Sequence, residues 1–331
     1  MYIIAEIGQA HEGSLGIAHS YIDALSDTGV NAVKFQVHIA DAESSVHEPF
    51  RTKFSYEDRT RYDYWKRMEF TLDQWDGLKK HCEEKKMDFI PSPFSNAAVD
   101  MMEQIGVNSY KIGSGEVNNF LMLQKIAKTG KPVYLSSGMS SFSEIDEAVE
   151  LFKRHNNSIT ILQCTTAYPS KPEEWGLNVI RELKERYPYP IGFSDHSGDI
   201  FACLAATALG ADVLEFHVVF DKRMFGPDTS ASLTIDQVKM LVNGINNISK
   251  ARTSIIDKNS NKYADMKKIF EKSLAARREI KSGEIIYESM LEAKKPKDFG
   301  IDAKKFHIIL GKKIKRDMQK GEFITESDID E

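Results

Sequence analysis

Eight short, largely apolar runs of the sequence each end in polar side chains that could do chemistry. The first run ends at Glu6, and the second carries Lys34 and Gln36. Later runs end in hydroxyl, amine, carboxyl and imidazole groups, namely Ser92, Lys111, Ser114, Glu116, Ser136, Thr166, Ser194, His196, Glu215 and His217. If the runs are strands of a parallel barrel, their carboxyl ends share one face, so we predict that these groups surround one site.

The side chains at the ends of these runs indicate an anionic ligand. Two lysines and several small hydroxyl groups converging on one opening fit a phosphate or a carboxylate, which accepts hydrogen bonds and needs compensating charge. Lys34 lies within the apolar segment AVKFQ. A solvated strand edge is the alternative environment for this lysine, but a lysine flanked by buried apolar residues needs an anionic partner.

His196 and His217 follow the seventh and eighth runs and form a candidate metal site. Adjacent strands lie about 4.8 Å apart, so the two imidazoles can meet on one cation. The alternative is that one or both are buried histidines with ordinary hydrogen bonds. The sequence has neither an HExxH motif nor a set of thiolates. Two imidazole nitrogens with water and substrate oxygens therefore favour Mn²⁺ or a similar ion over a closed zinc site.

The apolar runs alternate with helical patterns, which predicts the fold class. The predicted strands are residues 2–6, 32–36, 88–91, 109–112, 132–136, 160–164, 190–194 and 212–218. The predicted helices are residues 15–28, 72–85, 97–104, 120–128, 142–155, 177–187, 200–209 and 235–249. Eight strand–helix repeats over about 250 residues are typical of an α/β protein with a (β/α)₈ TIM barrel. An open doubly wound sheet is the alternative, but no GxGxxG follows the first strand.

The remaining segments predict the domain organisation. We expect a barrel domain over residues 1–251, a polar linker over 252–272 and a small β-rich domain over 273–331. The connection over residues 37–70 is long and rich in aromatic residues, so we expect an ordered loop beside the site.

Composition excludes several classes of function. The 331 residues carry a net charge of −5 with dispersed Lys and Arg, which argues against nucleic acid as a partner. Three scattered cysteines predict neither disulfides nor a zinc site, so we expect a cytoplasmic protein. No signal peptide and no membrane span is predicted.

The motifs themselves resemble those of the sialic acid synthase family, the N-acetylneuraminate, legionaminate and pseudaminate synthases. The matching stretches run in order through the chain and include AEIGQAHEGSL, VKFQ, PSPF, YKIGSGEVNN, LSSGM, LQCTTAYP, GFSDHSG, ALGADVLEFHV and FGPDTSASL. The segments SLAARREIKSGEII and LGKKIKRDMQKGEFI resemble the antifreeze-like (SAF) domain of that family. The resemblance covers nearly the whole chain.

The resemblance implies a reaction and a role for each matching residue. Phosphoenolpyruvate would condense with an amino-sugar aldehyde in a domain-swapped homodimer that uses Mn²⁺ or Mg²⁺. By this matching, Glu6 and Glu116 are catalytic, and His196 and His217 bind the metal. Residues matching the phosphoenolpyruvate site are Lys34, Ser92, Lys111, Ser114, Ser136, Thr166 and Ser194. Those matching the sugar site are Gln36, Phe94, Tyr168, Asp228 and Lys295.

Two of these residues have simpler interpretations, and three positions depart from the family pattern. Glu116 is also readable as a solvated loop acid, and Asp228 as part of a turn. The family often has Asn at the position of Thr166, Arg at the position of Lys295, and Lys or Arg at the position of Phe216. These departures bear on which sugar is bound more than on the reaction.

Two rival functions remain open from the sequence. A strand-borne lysine, Lys111 or Lys34, also suits a metal-free Schiff-base aldolase that joins pyruvate to a sugar. A non-enzymatic alternative is an ice- or protein-binding domain on a scaffold barrel, but a scaffold has no need of polar groups at every strand end.

Overall fold

The computed structural model describes residues 1–52 and 54–330, and its larger part is a barrel of eight parallel strands. Lys53, in the long connection, and Glu331, in the predicted second domain, lie outside the described residues. The strands are β1 (Tyr2–Gly8), β2 (Ala32–Val37), β3 (Asp88–Pro93), β4 (Tyr110–Ile112), β5 (Val133–Ser136), β6 (Ile159–Cys164), β7 (Ile191–Asp195) and β8 (Val213–Val219). They follow the order β3-β2-β1-β8-β7-β6-β5-β4, and the Ser92 hydroxyl donates to the Lys111 carbonyl across β3 and β4. The predicted TIM barrel is confirmed.

Helices follow the strands along the chain, and the last of them lies in a second compact unit. They are α1 (Leu15–Ser26), α2 (Ala40–Glu43), α3 (Arg61–Met68), α4 (Leu72–Glu84), α5 (Asn96–Gln104), α6 (Phe120–Ala127), α7 (Phe142–Arg154), α8 (Leu177–Arg186), α9 (Phe201–Ala208), α10 (Ile235–Thr253) and α11 (Ala264–Phe270). Several begin at side-chain caps, such as the capping boxes of Thr71 and Ser141. Such caps satisfy backbone N–H groups that the first turn leaves free.

The inside of the barrel has an apolar layer below a polar one. Ile4, Ile90, Leu162 and Val213 pack together as a buried cluster inside the strands. Side chains two positions later in a strand point to the same side. Glu6, Ser92, Cys164 and Glu215 occupy those positions, so the strand ends carry the polar layer directly above the apolar one.

The long connection between β2 and α4 contains the helices α2 and α3. The Thr60 hydroxyl accepts from the Asp63 backbone and Asp63 accepts from the Thr60 backbone, which starts α3. Tyr64, Trp65 and Met68 then bury their side chains in a separate apolar cluster. The sequence indicated order here, and Thr60-x-x-Asp63 is the capping signal that locates the helix.

The chain divides into two compact units, Met1–Ser254 and Ile255–Glu331. The segment predicted as a linker includes the end of α10 and all of α11. In the first unit, a short strand β9 (Leu233–Thr234) pairs with the end of β8. In the second unit, β10 (Ser273–Ala276) pairs antiparallel with β11 (Leu291–Lys294). Isoleucines and methionines form its small core, among them Ile280, Ile286 and Met318. Among the described residues, no helix is both long and apolar enough to cross a membrane.

Candidate active site

The carboxyl ends of the strands surround a cavity of about 370 Å³. Fourteen of the sequence-predicted site residues line it: Lys34, Gln36, Ser92, Phe94, Lys111, Ser114, Glu116, Ser136, Thr166, Tyr168, Ser194, His196, His217 and Asp228. Glu6 is fully buried and does not line the cavity, but it contacts both Lys34 and Gln36. Lys295 lies in the second unit. The strand ends therefore bring together the barrel residues that the sequence singled out.

Two buried lysines and two buried carboxylates form the floor of the site. The Lys34 ammonium lies 2.8 Å from Glu6 Oε2 and 3.3 Å from Glu215 Oε1. The Lys111 ammonium lies 3.2 Å from the same Glu215 oxygen, which also accepts a 3.0 Å hydrogen bond from the Ser194 hydroxyl. Glu215 thus holds both lysines together, a role that its predicted place among the groups around the site did not indicate.

The protonation of the two lysines and two carboxylates in the floor depends on burial and on the number of oppositely charged partners that each group has. Burial raises the pKa of Glu6, although Lys34 opposes the change. Burial also disfavours the charged form of Glu215, but Lys111 and Lys34 lower its pKa to about 2. Burial would lower the pKa of Lys34, but Glu215 and Glu6 together raise it. Burial lowers the pKa of Lys111, whose carboxylate partner is Glu215. An anionic ligand would place further negative charge beside this lysine and so favour its charged form.

A hydroxyl cluster lines the same cavity as the lysines and consists of Ser114 and Thr166 with the backbone N–H of Gly138. The Gly138 N–H donates to the Ser114 hydroxyl over 3.2 Å. The nearby Ser136 hydroxyl is buried without a hydrogen-bond partner among the described residues. Hydroxyl and backbone donors held beside two ammonium groups match the needs of a bound phosphate.

Gly138 leaves the space that this cluster needs. A Cβ atom at Gly138 would lie 2.6 Å from both the Ser114 and the Thr166 oxygens. We expect Gly138→Ala to push these hydroxyls out of position and to weaken binding of a phosphate-bearing substrate by about tenfold, the cost of roughly one strong hydrogen bond. Isothermal titration with phosphoenolpyruvate measures the change.

Gly77→Ala is the matched control for this substitution. A Cβ atom at Gly77, within α4, meets nothing within 4 Å, so this variant should bind like the parent. Equal affinities for the two alanine variants would mean that the hydroxyl cluster does not hold the ligand.

The two predicted metal ligands lie side by side. The ring centroids of His196 and His217 are 5.3 Å apart. His196 Nδ1 lies 2.7 Å from the Thr165 carbonyl, which accepts a hydrogen bond from the Nδ1–H group. The other ring nitrogen, Nε2, is thereby left for another partner. A backbone carbonyl behind the imidazole is the usual support of a metal-binding histidine. The donor set therefore fits a metal with open positions.

The protonation of the two imidazoles differs. Burial lowers the pKa of His217 to about 3, so its ring is neutral and has a free lone pair. Burial disfavours the charged form of His196 too, but the Cys164 sulfur and the Thr165 carbonyl raise its pKa to about 9. A metal ion would have to displace that proton. Among the described residues, no group of three or more His, Cys, Asp or Glu side chains is arranged to hold a metal, so any further ligands would come from water or substrate.

An aromatic stack forms one wall of the cavity. The His38 ring lies between Trp65 and Phe94, with centroid distances of 3.8 Å and 4.5 Å. His38 Nδ1 lies 2.6 Å from Glu43 Oε1, and its Nε2 lies 3.1 Å from Gln36 Oε1. His38 thus fixes the side chain of Gln36, a predicted sugar-binding residue. Sequence reasoning missed His38, and its only signal was its place two residues after Gln36.

The sequence matches the model of the NeuB family over residues 21–257 and that of the SAF domain over residues 271–330. The chain belongs to the NeuB family. It is 37% identical over 332 residues to N,N'-diacetyllegionaminic acid synthase of Campylobacter jejuni, with 98% of each chain covered. Human N-acetylneuraminate-9-phosphate synthase is 33% identical, over 99% of this chain and 92% of that protein.

A solved structure extends the NeuB comparison to three dimensions. The N-acetylneuraminic acid synthetase of Leptospira borgpetersenii, in complex with citrate, superposes with a TM-score of 0.71. The two share 31% identity, over 80% of this chain and 89% of that one. The resemblance to the sialic acid synthases and the β-rich SAF domain predicted from the sequence are both confirmed.

Proposed function

We propose that this NeuB-family chain condenses phosphoenolpyruvate with the open-chain aldehyde of an N-acylated amino sugar, giving a nonulosonic acid and phosphate. The observation that carries the proposal is the floor of the site, where Lys34 and Lys111 share Glu215 beside the hydroxyl cluster. The acceptor would be N-acetylmannosamine or a 2,4-diacetamido-2,4,6-trideoxyhexose. The named relatives differ in whether their product carries a phosphate, so they leave that point open.

Phosphoenolpyruvate has two anionic groups, and the floor of the site offers donors for both. We assign Lys34 and Lys111 as the cations that bind them, with hydroxyl groups around them. The hydroxyl groups that line the cavity are those of Ser92, Ser114, Ser136, Thr166 and Ser194, of which Ser92 and Ser194 already donate to the Lys111 carbonyl and to Glu215. Because Lys34 and Lys111 already share the buried carboxylate of Glu215, the ligand would bind to a preorganised pair of cations.

The sugar would occupy the part of the cavity lined by Gln36, Phe94, Tyr168 and Asp228, with Glu116 orienting its hydroxyl groups. A Mn²⁺ or Mg²⁺ ion held by His196 and His217 would polarise the aldehyde carbonyl. The rings fit this task because the Thr165 carbonyl fixes His196 and burial keeps His217 neutral.

The reaction forms one carbon–carbon bond, adds the oxygen of one water molecule at C2 and breaks the bond between C2 and the phosphate oxygen, while the aldehyde oxygen takes up a proton. C3 of phosphoenolpyruvate attacks the aldehyde carbon, and positive charge develops at C2, where water adds. The resulting tetrahedral species loses phosphate by cleavage of the C2–O bond. We assign Glu6 to accept the proton of that water, because burial raises the pKa of its carboxyl and so makes the carboxylate a stronger base than an exposed one.

We also propose a domain-swapped homodimer in which Lys295 reaches the partner's sugar site. In the second unit, the short helix α11 exposes Met266, Ile269 and Phe270, which is apolar surface that a partner would cover. We expect light scattering after gel filtration to give twice the mass of the 37.5 kDa chain. A monomer at micromolar concentration would exclude the swapped arrangement.

The proposed reaction is tested by phosphate release from phosphoenolpyruvate with Mn²⁺. The acceptor panel contains N-acetylmannosamine, its 6-phosphate and 2,4-diacetamido-2,4,6-trideoxyhexoses. We expect release with at least one sugar and its loss on adding EDTA. No release with any of them would contradict the proposal, and trapping of pyruvate on Lys111 or Lys34 by borohydride would support the Schiff-base aldolase instead.

The cytoplasmic location stays a prediction. Its support is that Cys82, Cys164 and Cys203 are all free and buried, as expected of a chain that folds in a reducing compartment.

A further inference from the structure

Beyond the lysine floor, the cavity has a rim of six charged side chains. Four come from the connection between β2 and α4, one from the turn after β4 and one from the loop after β8. They are Glu43, Glu48, Arg51, Arg61, Glu116 and Asp228. Four carboxylates thus face two arginines, and the pairing of these groups decides what charge a sugar can carry.

Arg51 is already occupied by groups of the protein. Its guanidinium lies 2.5 Å from Asp228 Oδ1 and donates to the Pro227 carbonyl over 3.3 Å. The guanidinium also stacks over the Tyr168 ring, 4.0 Å from the centroid. A phosphate that recruited Arg51 would have to displace a carboxylate and would leave Asp228 without its cation.

Arg61 is also paired with a carboxylate, although its Nε makes no hydrogen bond to a described residue. Its Nε lies 3.3 Å from Glu48 Oε1, and its guanidinium stacks 4.6 Å from the centre of the Trp65 ring. The other oxygen of Glu48 accepts a 3.0 Å hydrogen bond from the Trp65 indole and one from the Ser44 hydroxyl. Glu48 is therefore fixed as the partner of Arg61.

Two carboxylates of the rim have no arginine partner among the described residues. Glu43 contacts His38 over 2.6 Å, and Glu116 accepts a 2.8 Å hydrogen bond from Asn119. Burial and the negative charge of Glu43 raise the pKa of Glu116, although Asn119 opposes the change. The rim thus carries an excess of hydrogen-bond acceptors and of negative charge.

We infer that the acceptor of this chain is an uncharged acylamino sugar and not a sugar phosphate, an inference that rests on the proposed function. A phosphate would meet more carboxylates than cations, and both arginines that could bind it are already ion-paired with a carboxylate. Even with Lys295 added from a second copy, four carboxylates would face three cations.

An uncharged acylamino sugar matches what the rim offers. Its amide N–H and hydroxyl groups donate to the carboxylates of Glu43 and Glu116, which have acceptor capacity to spare. The stacked rings of His38, Trp65 and Phe94 provide an apolar wall for an acyl methyl group. The lysines of the floor do not help a sugar phosphate, because phosphoenolpyruvate uses them.

Steady-state kinetics at saturating phosphoenolpyruvate and Mn²⁺ test the inference. We expect kcat/KM for N-acetylmannosamine or a 2,4-diacetamido-2,4,6-trideoxyhexose to exceed that for N-acetylmannosamine 6-phosphate by at least about 100-fold. Turnover of the 6-phosphate at an equal or greater kcat/KM would overturn the inference and leave the proposed function standing. No turnover of any sugar would overturn both.

Glu48→Gln tests whether charge, rather than the width of the cavity, disfavours a sugar phosphate. The substitution frees Arg61 while an amide oxygen can still accept from Trp65, so kcat/KM for the 6-phosphate should rise about tenfold relative to the uncharged sugars. Glu185→Gln, at an exposed position of α8, is the control and should leave the ratio unchanged. An unchanged ratio in a folded Glu48→Gln variant would mean that arginine pairing does not set the specificity.

Discussion

Glu6→Gln is expected to reduce kcat by roughly 10² to 10⁴, the range that general acid–base groups contribute. Glu6 lies below the cavity, where its carboxylate contacts the Lys34 ammonium and accepts a 2.9 Å hydrogen bond from Gln36. A substrate anion that binds Lys34 competes with Glu6 for this ammonium and leaves the carboxylate able to accept a proton. Glutamine keeps the size and the hydrogen bond but loses the basic oxygen.

The same substitution should leave the binding of phosphoenolpyruvate unchanged or make it slightly tighter, because the ligand no longer competes with Glu6 for Lys34. Stopped assays for kcat and titration calorimetry for the Kd separate the two effects. Glu185→Gln, on the surface of α8, is the control. A Glu6→Gln variant with normal kcat, or one that loses only ligand affinity, would remove Glu6 from the proton-transfer step.

The barrel was predictable because each strand is buried on both faces. Such strands read as continuous apolar runs, and the polar residue that ends each run marks its position at the barrel mouth. The predicted strand over residues 2–6 is observed as Tyr2–Gly8, and the one over 212–218 as Val213–Val219. The ends of the helices were predicted less accurately, because local capping contacts determine where a helix begins and ends. The last barrel helix extends to Thr253 rather than residue 249.

The sequence showed which residues meet at the barrel mouth, but not how they pair. Glu215 was visible as a strand-end acid, yet its contact with both Lys34 and Lys111 depends on β8 facing β2 and β4 across the barrel. Gly138 belongs to the stretch LSSGM, but the sequence did not show its role, which is to leave space for Ser114 and Thr166. These contacts join residues far apart in sequence, so neither periodicity nor spacing reports them.

The connection over residues 37–70 likewise shows that the sequence predicted order but not which side chains pair. Its aromatic content predicted order, and the structure has two helices there, but the pairing of Arg51 with Asp228 was not foreseeable. Lys and Arg are dispersed along the sequence, whereas the structure places Arg51 and Arg61 in the cavity wall. The structure also shows that each of these two arginines is paired with a carboxylate.

His217→Ala should raise the Kd for Mn²⁺ by more than about 100-fold, since loss of a supporting partner alone costs 10- to 100-fold. His217 and His196 are the protein nitrogens that we assign to the ion, and removing one leaves a single imidazole. Turnover should fall by a similar or larger factor. Electron paramagnetic resonance of free Mn²⁺ and elemental analysis of the purified protein measure binding without any assay of activity.

His155→Ala is the matched control for this experiment. His155 lies at the end of α7, with its Nδ1 3.0 Å from the Leu151 carbonyl, and it does not line the cavity. This variant should bind Mn²⁺ like the parent. Because we assign phosphoenolpyruvate to the lysines and hydroxyls and not to the imidazoles, His217→Ala should also retain affinity for it. Unchanged manganese content in a folded His217→Ala variant would instead make His217 a buried histidine without a metal, and the Lewis acid would have to be held elsewhere.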